Sequence, residues 1–384
     1  MNDLKAALNQ RRKQHLYRTR RIADSAQQVE MRVDNKTVIS FCSNDYLGLA
    51  NHPKIKQAMI DGIKHYGTGS GAAHLVNGHS RAHHQLEEEL AAFTGYPRAL
   101  LFSTGYMANL GVCQALLGKH DYVYEDRLNH ASLIDGGLLS GAHFYRYQHN
   151  TIASVQQKLA NQVDKPGEKL VVTDAVFSMD GDIANLPALA ALCKQTNSWL
   201  MVDDAHGFAT LGASGRGSPE HFSLHTDDIP VYMATLGKAM GTAGAFIVGS
   251  DALIETLIQQ ARTYIYTTAM PAAIAAATRC SLQLVQDEPQ HVQNLQANIA
   301  FFRNSCRQVG LAIENSQTAI QPLLIGDDKT AMQISQQLFA QGLLVTAIRP
   351  PTVPKGTSRL RITLSASHQQ SHISRLIETL VSLC

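Results

Sequence analysis

The sequence predicts an α/β protein: a mostly parallel sheet covered by helices, followed by a smaller α+β domain. Two observations predict it. From about residue 98 onward, short apolar runs rich in β-forming residues alternate with segments of helical periodicity. Such alternation is the signature of a parallel sheet with helices on its faces. Beyond about residue 290 the alternation loosens into a shorter mixture of strands and helices.

The strand candidates, in order, are "RALLF" (98–102), "DYVYE" (121–125), "AHFYRY" (142–147), "KLVVTD" (169–174), "SWLMVD" (198–203), "PVYMAT" (230–235) and "AFIVGS" (245–250). Between several of them lie helical patterns such as "ANLGVCQALL" and "LPALAALCKQ". "LQLVQDEPQH" (282–291) falls in a helical region that connects two domains. After it come "AIQPLLIG", a helix around 329–341, "LLVTAI", "RLRITLS" and a final helix starting near Ser367, a suitable cap. The expected division is an N-terminal helix and arm over 1–45, a large domain over 46–285 and a small domain over 286–384.

The 384 residues carry a net charge of +2, so no strong field favours nucleic acid or an anionic membrane. Basic residues cluster early, from Lys5 to Arg21, as in an Arg-rich transit peptide, but the flanking Asp3 and Asp24 weaken that reading and there is no apolar signal core. A solvated amphipathic helix is expected there. No apolar run is long enough to span a bilayer. Cys42, Cys113, Cys193, Cys280, Cys306 and Cys384 form no CxxC pair and suggest reduced thiols in a cytoplasm. No HExxH occurs, and His83 and His84 are adjacent, so no metal site is expected.

In open α/β sheets, ligands bind beyond the carboxyl ends of the strands. Polar residues at five such ends stand out. "FSTGYMANLG" puts Ser103, Thr104 and Gly105 before a helix whose N-terminus suits a phosphate, although the same residues serve as a plain cap. "DRLNHAS" supplies His130, able to stack, ligate or simply pack. "VVTDAVFSMDGD" supplies Asp174, Ser178, Asp180 and Asp182, unless it is an ordinary acidic loop. "WLMVDDAHGFATLG" places Asp203 at a buried strand end, with His206 three residues on; a buried carboxylate is costly without a cationic partner. "TLGKAMG" sets Lys238 among small residues, which leave room for a bound group. Together they offer a phosphate cradle, an acid for a cationic ring nitrogen, a flat stacking partner and an amine. That inventory matches pyridoxal 5'-phosphate (PLP), whose aldehyde takes an amine as a Schiff base. Rival motifs fail. A helical pattern, not a strand, precedes "GTGSGA"; "LGKA" is no P-loop; GxSxG is absent.

At this point the sequence resembles the α-oxoamine synthases, PLP-dependent enzymes of the aspartate-aminotransferase fold (fold type I). The likeness runs over nearly the whole chain, through "FCSNDYLGLANHP", "YGTGSG", "VFSMDGD", "VDDAHG", "ASGRGS", "TLGKAMG" and "AIRPPTVPKGTSRLRITLSASH". "TAIRPPTVP" favours the branch that joins L-alanine to a pimeloyl thioester over glycine acetyltransferases and 5-aminolevulinate synthases. By resemblance, Lys238 would carry the cofactor and move the α-proton of the amino acid. Asp203 would pair with the pyridinium nitrogen, His206 would contact the phenolic oxygen, and His130 would stack on the ring. Gly105 and Tyr106 would lie near the phosphate, with Ser178 and Thr235 as further cofactor contacts. Thr267 and Thr268 in "YIYTTAMP" would reach the phosphate from a second subunit, making a homodimer with shared sites. Arg18, Asn44, His130, Arg349 and Thr352 match substrate positions, Arg349 holding the amino-acid carboxylate. The acyl donor would be a coenzyme A or acyl-carrier-protein thioester. Two departures are visible: Asp174 stands where relatives often carry Glu, and "GSGAAHLVNG" has Ala and His where they show Gly and Ser or Arg. A nucleotide-dependent oxidoreductase or a non-catalytic relative are the alternatives from other classes.

Overall fold

A computed structural model describes residues 3–14, 16–162 and 165–383. The chain forms two compact units: Leu49–Ser178 with Ile183–Val292, and Met1–Gly48 with Met179–Asp182 and Gln293–Cys384.

The first of these contains a seven-stranded sheet. Its spatial order is Arg98–Phe102, Ala245–Gly249, Val231–Thr235, Trp199–Asp203, Lys169–Asp174, Tyr122–Asp126 and His143–Tyr147. All seven correspond to the expected runs, with ends differing by one residue at most. Only Ala245–Gly249 runs against its neighbours. The strands Tyr122–Asp126, Trp199–Asp203 and Ala245–Gly249 are buried along their length except at Trp199, where the second of them begins, as expected with helices on both faces. One core cluster packs Leu100, Val123, Val172, Met201 and Ile247 of the sheet against Ala108, Val112 and Leu133 of the helices Gly105–Leu116 and Ala131–Leu139. The helices Ala272–Asp287 and Gln290–Gln308 are separated at Pro289, which cannot donate a helical hydrogen bond, and the unit ends just beyond that break.

In the other unit, Ile320–Gly326, Ser358–Thr363 and Thr346–Ile348 make one three-stranded sheet. Glu30–Val33, Lys36–Ser40 and Leu343–Leu344 make a second. The run "LLVTAI" is therefore two short strands in two sheets, not one. The switch falls at Val345, whose carbonyl accepts from the Ser335 hydroxyl at 2.6 Å instead of joining a ladder. The last helix spans Gln370–Leu383, three residues later than expected. His368 explains the delay. Its ring stacks on Phe41 at 4.3 Å and bonds the Ser40 carbonyl at 3.0 Å, while its Nδ1 accepts from the Ser365 N–H. That tether holds residues 365–368 in a turn. The N-terminal helix Leu4–Lys13 buries no residue and is capped by Asp3, which accepts from the Ala6 N–H at 3.0 Å.

No helix among the described residues is long and apolar enough to cross a membrane. Cys42, Cys113, Cys193, Cys280 and Cys306 are free thiols; Cys384 lies outside the described residues.

Candidate active site

Five strands of the large sheet end at the same edge, and a cleft of about 180 Å³ opens there. It is lined by Gly105, Tyr106, His130, Ser178, Asp203, His206, Thr235 and Lys238, all expected from the sequence, and by Asn109, Ser132, Asp174, Ala205 and Met233. Parallel strands explain the convergence, because each chain segment leaving a carboxyl end enters the same space. Asp174 and Asp203 are register partners on adjacent strands, so two buried carboxyls sit side by side.

A chain of hydrogen bonds fixes the cleft floor. Asn109 donates both amide hydrogens, to Asp203 Oδ2 at 2.7 Å and to Ser132 Oγ at 2.9 Å. Ser132 Oγ lies 2.7 Å from His130 Nδ1. The His130 backbone N–H donates to Asp174 Oδ2 at 2.7 Å, and Ala205 N–H donates to Asp203 Oδ1 at 2.9 Å. At the rim, Lys238 Nζ lies 2.8 Å from His206 Nε2. Thr104 caps the helix behind the cleft by accepting from the Met107 N–H at 3.2 Å. The cap does not use up the first-turn N–H groups of that helix, which still have no partner within it.

Charge is arranged unequally. Burial, reinforced by the neighbouring Asp203, pushes Asp174 well above the ordinary carboxyl range, so it favours the protonated form. Desolvation lowers His130, with Lys238 adding to the shift and Asp203 opposing it. Asp204, one residue beyond the strand, turns away from the cleft; burial pushes it up to about 7 although Ser218 N–H and Tyr232 OH donate to it. The two hydrogen bonds to Asp203 come from neutral donors, an amide side chain and a backbone N–H. A buried carboxylate held this way fits a cationic ring nitrogen, and the rim amine fits an aldehyde.

Two of the small residues near Lys238, Gly241 and Gly244, have a different task from the one expected. Gly241 has φ +66°, and a Cβ there would come within 2.5 Å of the Leu49–Ala50 backbone. Gly244 has φ +101° and packs near Met270 and the Phe102 carbonyl. These glycines close a turn against neighbouring chain rather than leave room for a ligand. Thr235 Oγ1 donates to the Gly244 carbonyl at 3.0 Å and so ties the same turn.

Other expected site residues lie elsewhere. Thr268 is exposed and its backbone bridges to Ala73 in the same unit, next to the partly buried Thr267. The other unit holds Arg18, Asn44, Arg349 and Thr352. Arg18 is exposed. Asn44 Oδ1 accepts from Tyr46 OH at 3.1 Å and from Arg361 at 3.2 Å. Arg349 donates to the Tyr17 carbonyl at 2.9 Å, and Thr352 N–H closes a turn onto the Arg349 carbonyl.

Asn109 and Ser132 were missed by sequence reasoning. Their signal was faint but present: each is a polar residue on a helix that otherwise shows apolar or small residues to the core.

The family model described as aminotransferase class I and II matches residues 36–380. The 8-amino-7-oxononanoate synthase of Thioalkalivibrio sulfidiphilus is 60% identical over 380 residues, covering 99% of this chain and 97% of that one. A serine palmitoyltransferase from S. paucimobilis, solved with a bound PLP–myriocin aldimine, superposes with a TM-score of 0.93 at 28% identity, covering 100% of this chain and 96% of that one. An 8-amino-7-oxononanoate synthase from Francisella tularensis superposes with a TM-score of 0.78 at 33% identity, covering 90% and 97%.

Proposed function

The chain belongs to the class I and II aminotransferase family, and from that premise we propose that it joins L-alanine to a pimeloyl thioester, with loss of carbon dioxide, to give 8-amino-7-oxononanoate for biotin synthesis. It is a PLP-dependent transferase of fold type I. One observation carries the site assignment: an amine at the rim, Lys238, shares a cleft with a buried carboxylate, Asp203, whose hydrogen bonds come from neutral donors. When bound, PLP supplies an aldehyde for an amine and a ring that accepts the electron pair left when the α-proton departs.

The chain's own residues do the rest. Asp203 holds a proton on the ring nitrogen. Asn109 and the Ala205 N–H keep its carboxylate in place, so no reorganisation is needed as charge develops. His130, braced through Ser132 and Asp174, would hold the cofactor ring by stacking on it. Gly105 and Tyr106 offer first-turn N–H groups to the phosphate. His206, Ser178 and Thr235 line the cleft and would help hold the cofactor, and the Lys238 amine would take the α-proton and return one later. His206 at 2.8 Å is placed to orient that amine.

Arg18 and Arg349 are assigned to the two carboxylates of the substrates, since a guanidinium forms paired hydrogen bonds that Lys cannot reproduce. Mass spectrometry of products from L-alanine or glycine with pimeloyl-CoA or acetyl-CoA tests the reading. The alanine–pimeloyl pair should give the higher kcat/KM. Glycine with acetyl-CoA winning would convert the assignment to an acetyltransferase. Arg18→Ala should lower kcat/KM for pimeloyl-CoA about tenfold more than for a neutral acyl-CoA of similar length, the order expected for one charge-assisted hydrogen bond. An equal loss for both would remove Arg18 from that role. An acyl-carrier-protein thioester is the other donor to try.

The working unit in this reading is a cytoplasmic homodimer, with Thr267 and Thr268 reaching the partner's cofactor phosphate. Mixing Lys238→Ala with Thr268→Val subunits should partly restore activity, because one site of each heterodimer then carries neither defect. Verified heterodimers that stay inactive would show that the site is not shared.

A further inference from the structure

A second cavity in the sheet-bearing unit, of about 320 Å³, shares no lining residue with the cleft and is bordered by His74, His79, His84, Glu87 and Glu88. We propose that His79, His84 and Glu87 form a binding site for a divalent transition metal of the zinc class, with His74 orienting His79.

Each of the three offers one ligand atom, and these atoms lie within 4.8 Å of one another. His79 Nε2 and Glu87 Oε2 are 3.8 Å apart. That is too long for a hydrogen bond. It is close to the roughly 3.4 Å that separates two ligands placed about 2.1 Å from one tetrahedral ion. The other atoms of the same groups are already held. Glu87 Oε1 accepts from the Leu101 N–H at 2.9 Å, which fixes the carboxylate and leaves Oε2 toward His79. His79 Nδ1 lies 3.0 Å from His74 Nδ1, and only one of those nitrogens can carry the proton in such a contact. When His79 donates there, its Nε2 presents a lone pair beside Glu87. Fixing one ring nitrogen so that the other can ligate is the usual support for a metal-bound histidine.

His83 is not a ligand. Its Nδ1 meets Ser80 at 2.9 Å and its Nε2 meets the Met270 carbonyl at 2.7 Å. His84, half-exposed and 3.4 Å from Glu88, closes the site from the solvent side and leaves an entry path. Arg98 also lines the cavity, but its guanidinium is engaged with Glu255 at 2.6 Å and Asp251 at 3.7 Å. Two imidazoles and a carboxylate form a borderline donor set that suits zinc over magnesium or calcium, with a fourth position left for water. A second trio, His52, Glu288 and His291, makes the contrast clear: there Lys54 already neutralises the carboxylate at 2.6 Å.

A bound ion would pin the turn His74–Gly78 to the helix Arg81–Thr94. The test uses tag-free holoenzyme after dialysis against chelator, with Zn²⁺ and Co²⁺ as probes. Equilibrium dialysis should show about one Zn²⁺ per chain with micromolar or tighter affinity, and Co²⁺ should show the intense visible bands of a four-coordinate ion. His84→Gln is at the surface and should leave the metal-free melting temperature unchanged while weakening Zn²⁺ at least tenfold. Glu87→Gln keeps an acceptor for the Leu101 N–H and should weaken Zn²⁺ likewise. His74→Asn should cost about tenfold through orientation alone. Failure of the wild type to bind Zn²⁺ below millimolar concentration, or binding by His84→Gln and Glu87→Gln as tight as that of the wild type, would overturn the site.

Discussion

Lys238→Ala should lower turnover by at least a thousandfold, on the order expected when a group that both holds the cofactor and moves the proton is lost. Its amine lines the cleft and sits 2.8 Å from His206 Nε2. The fold should survive. The turn that carries Lys238 is set by Gly241, by Gly244 and by the Thr235 hydroxyl on the Gly244 carbonyl, none of which the substitution touches. The melting temperature of the cofactor-free variant should therefore match that of the cofactor-free parent. The direct readout is covalent labelling. Borohydride treatment of the parent should leave a pyridoxyl group on Lys238, and the variant should carry none. A label on another lysine of the parent, or turnover within tenfold of it, would remove Lys238 from this role.

How much of this was legible in the sequence depends on the range of the contact involved. The sheet strands were legible because each is a local apolar run, and the cleft residues because each follows such a run at its carboxyl end. The strand split at Val345 was not, because it depends on the Ser335 hydroxyl of a preceding helix. The late start of the last helix depends on His368 reaching Ser40 and Phe41, more than three hundred residues earlier in the chain. Neither contact leaves a trace in local periodicity. The glycines near Lys238 were noticed for the right reason, close approach, but the approaching group is the backbone at Leu49–Ala50. The histidine cluster escaped for a related cause. His83 and His84, adjacent in sequence, point to different partners, and the ligand set skips from His79 to His84 to Glu87.

The Asn109–Ser132–His130 chain bears on how the cleft keeps its geometry. It links the helix Gly105–Leu116 to the helix Ala131–Leu139, so the helix start at Gly105 and the His130 ring are braced by one set of bonds. Asn109 is fully buried, and its Oδ1 has no hydrogen-bond partner among the described residues. An unsatisfied buried carbonyl of this kind costs about 1–3 kcal/mol, which the two strong donations from the same amide offset.

Asp203→Asn should lower turnover about ten- to a hundredfold, the range of one charge-assisted hydrogen bond removed at nearly constant shape. It should also lower stability. Asp203 accepts at both oxygens, from Asn109 at 2.7 Å and from Ala205 N–H at 2.9 Å. Asparagine has a single acceptor oxygen, so one of those buried donors would face an NH₂ group, at a cost of about 1–3 kcal/mol. A drop of a few degrees in melting temperature, present with and without cofactor, reports that mismatch separately from catalysis. Asp174 complicates the charge count in a testable way. Burial and then the charge of Asp203 push its carboxyl well above the ordinary range, which disfavours its charged form. Removing the Asp203 charge eases the ionisation of Asp174, its register partner on the next strand, and returns part of the lost negative charge to the cleft floor. Asp203→Asn should therefore retain some activity that rises with pH as Asp174 ionises, because a carboxyl with a raised pKa gains its charge only on going to higher pH. Adding Asp174→Asn should abolish that rise and deepen the loss. Turnover unchanged in Asp203→Asn would show that Asp203 does not hold the ring proton. A residual activity that is flat with pH, and unaffected by the second substitution, would show that Asp174 does not take over its charge.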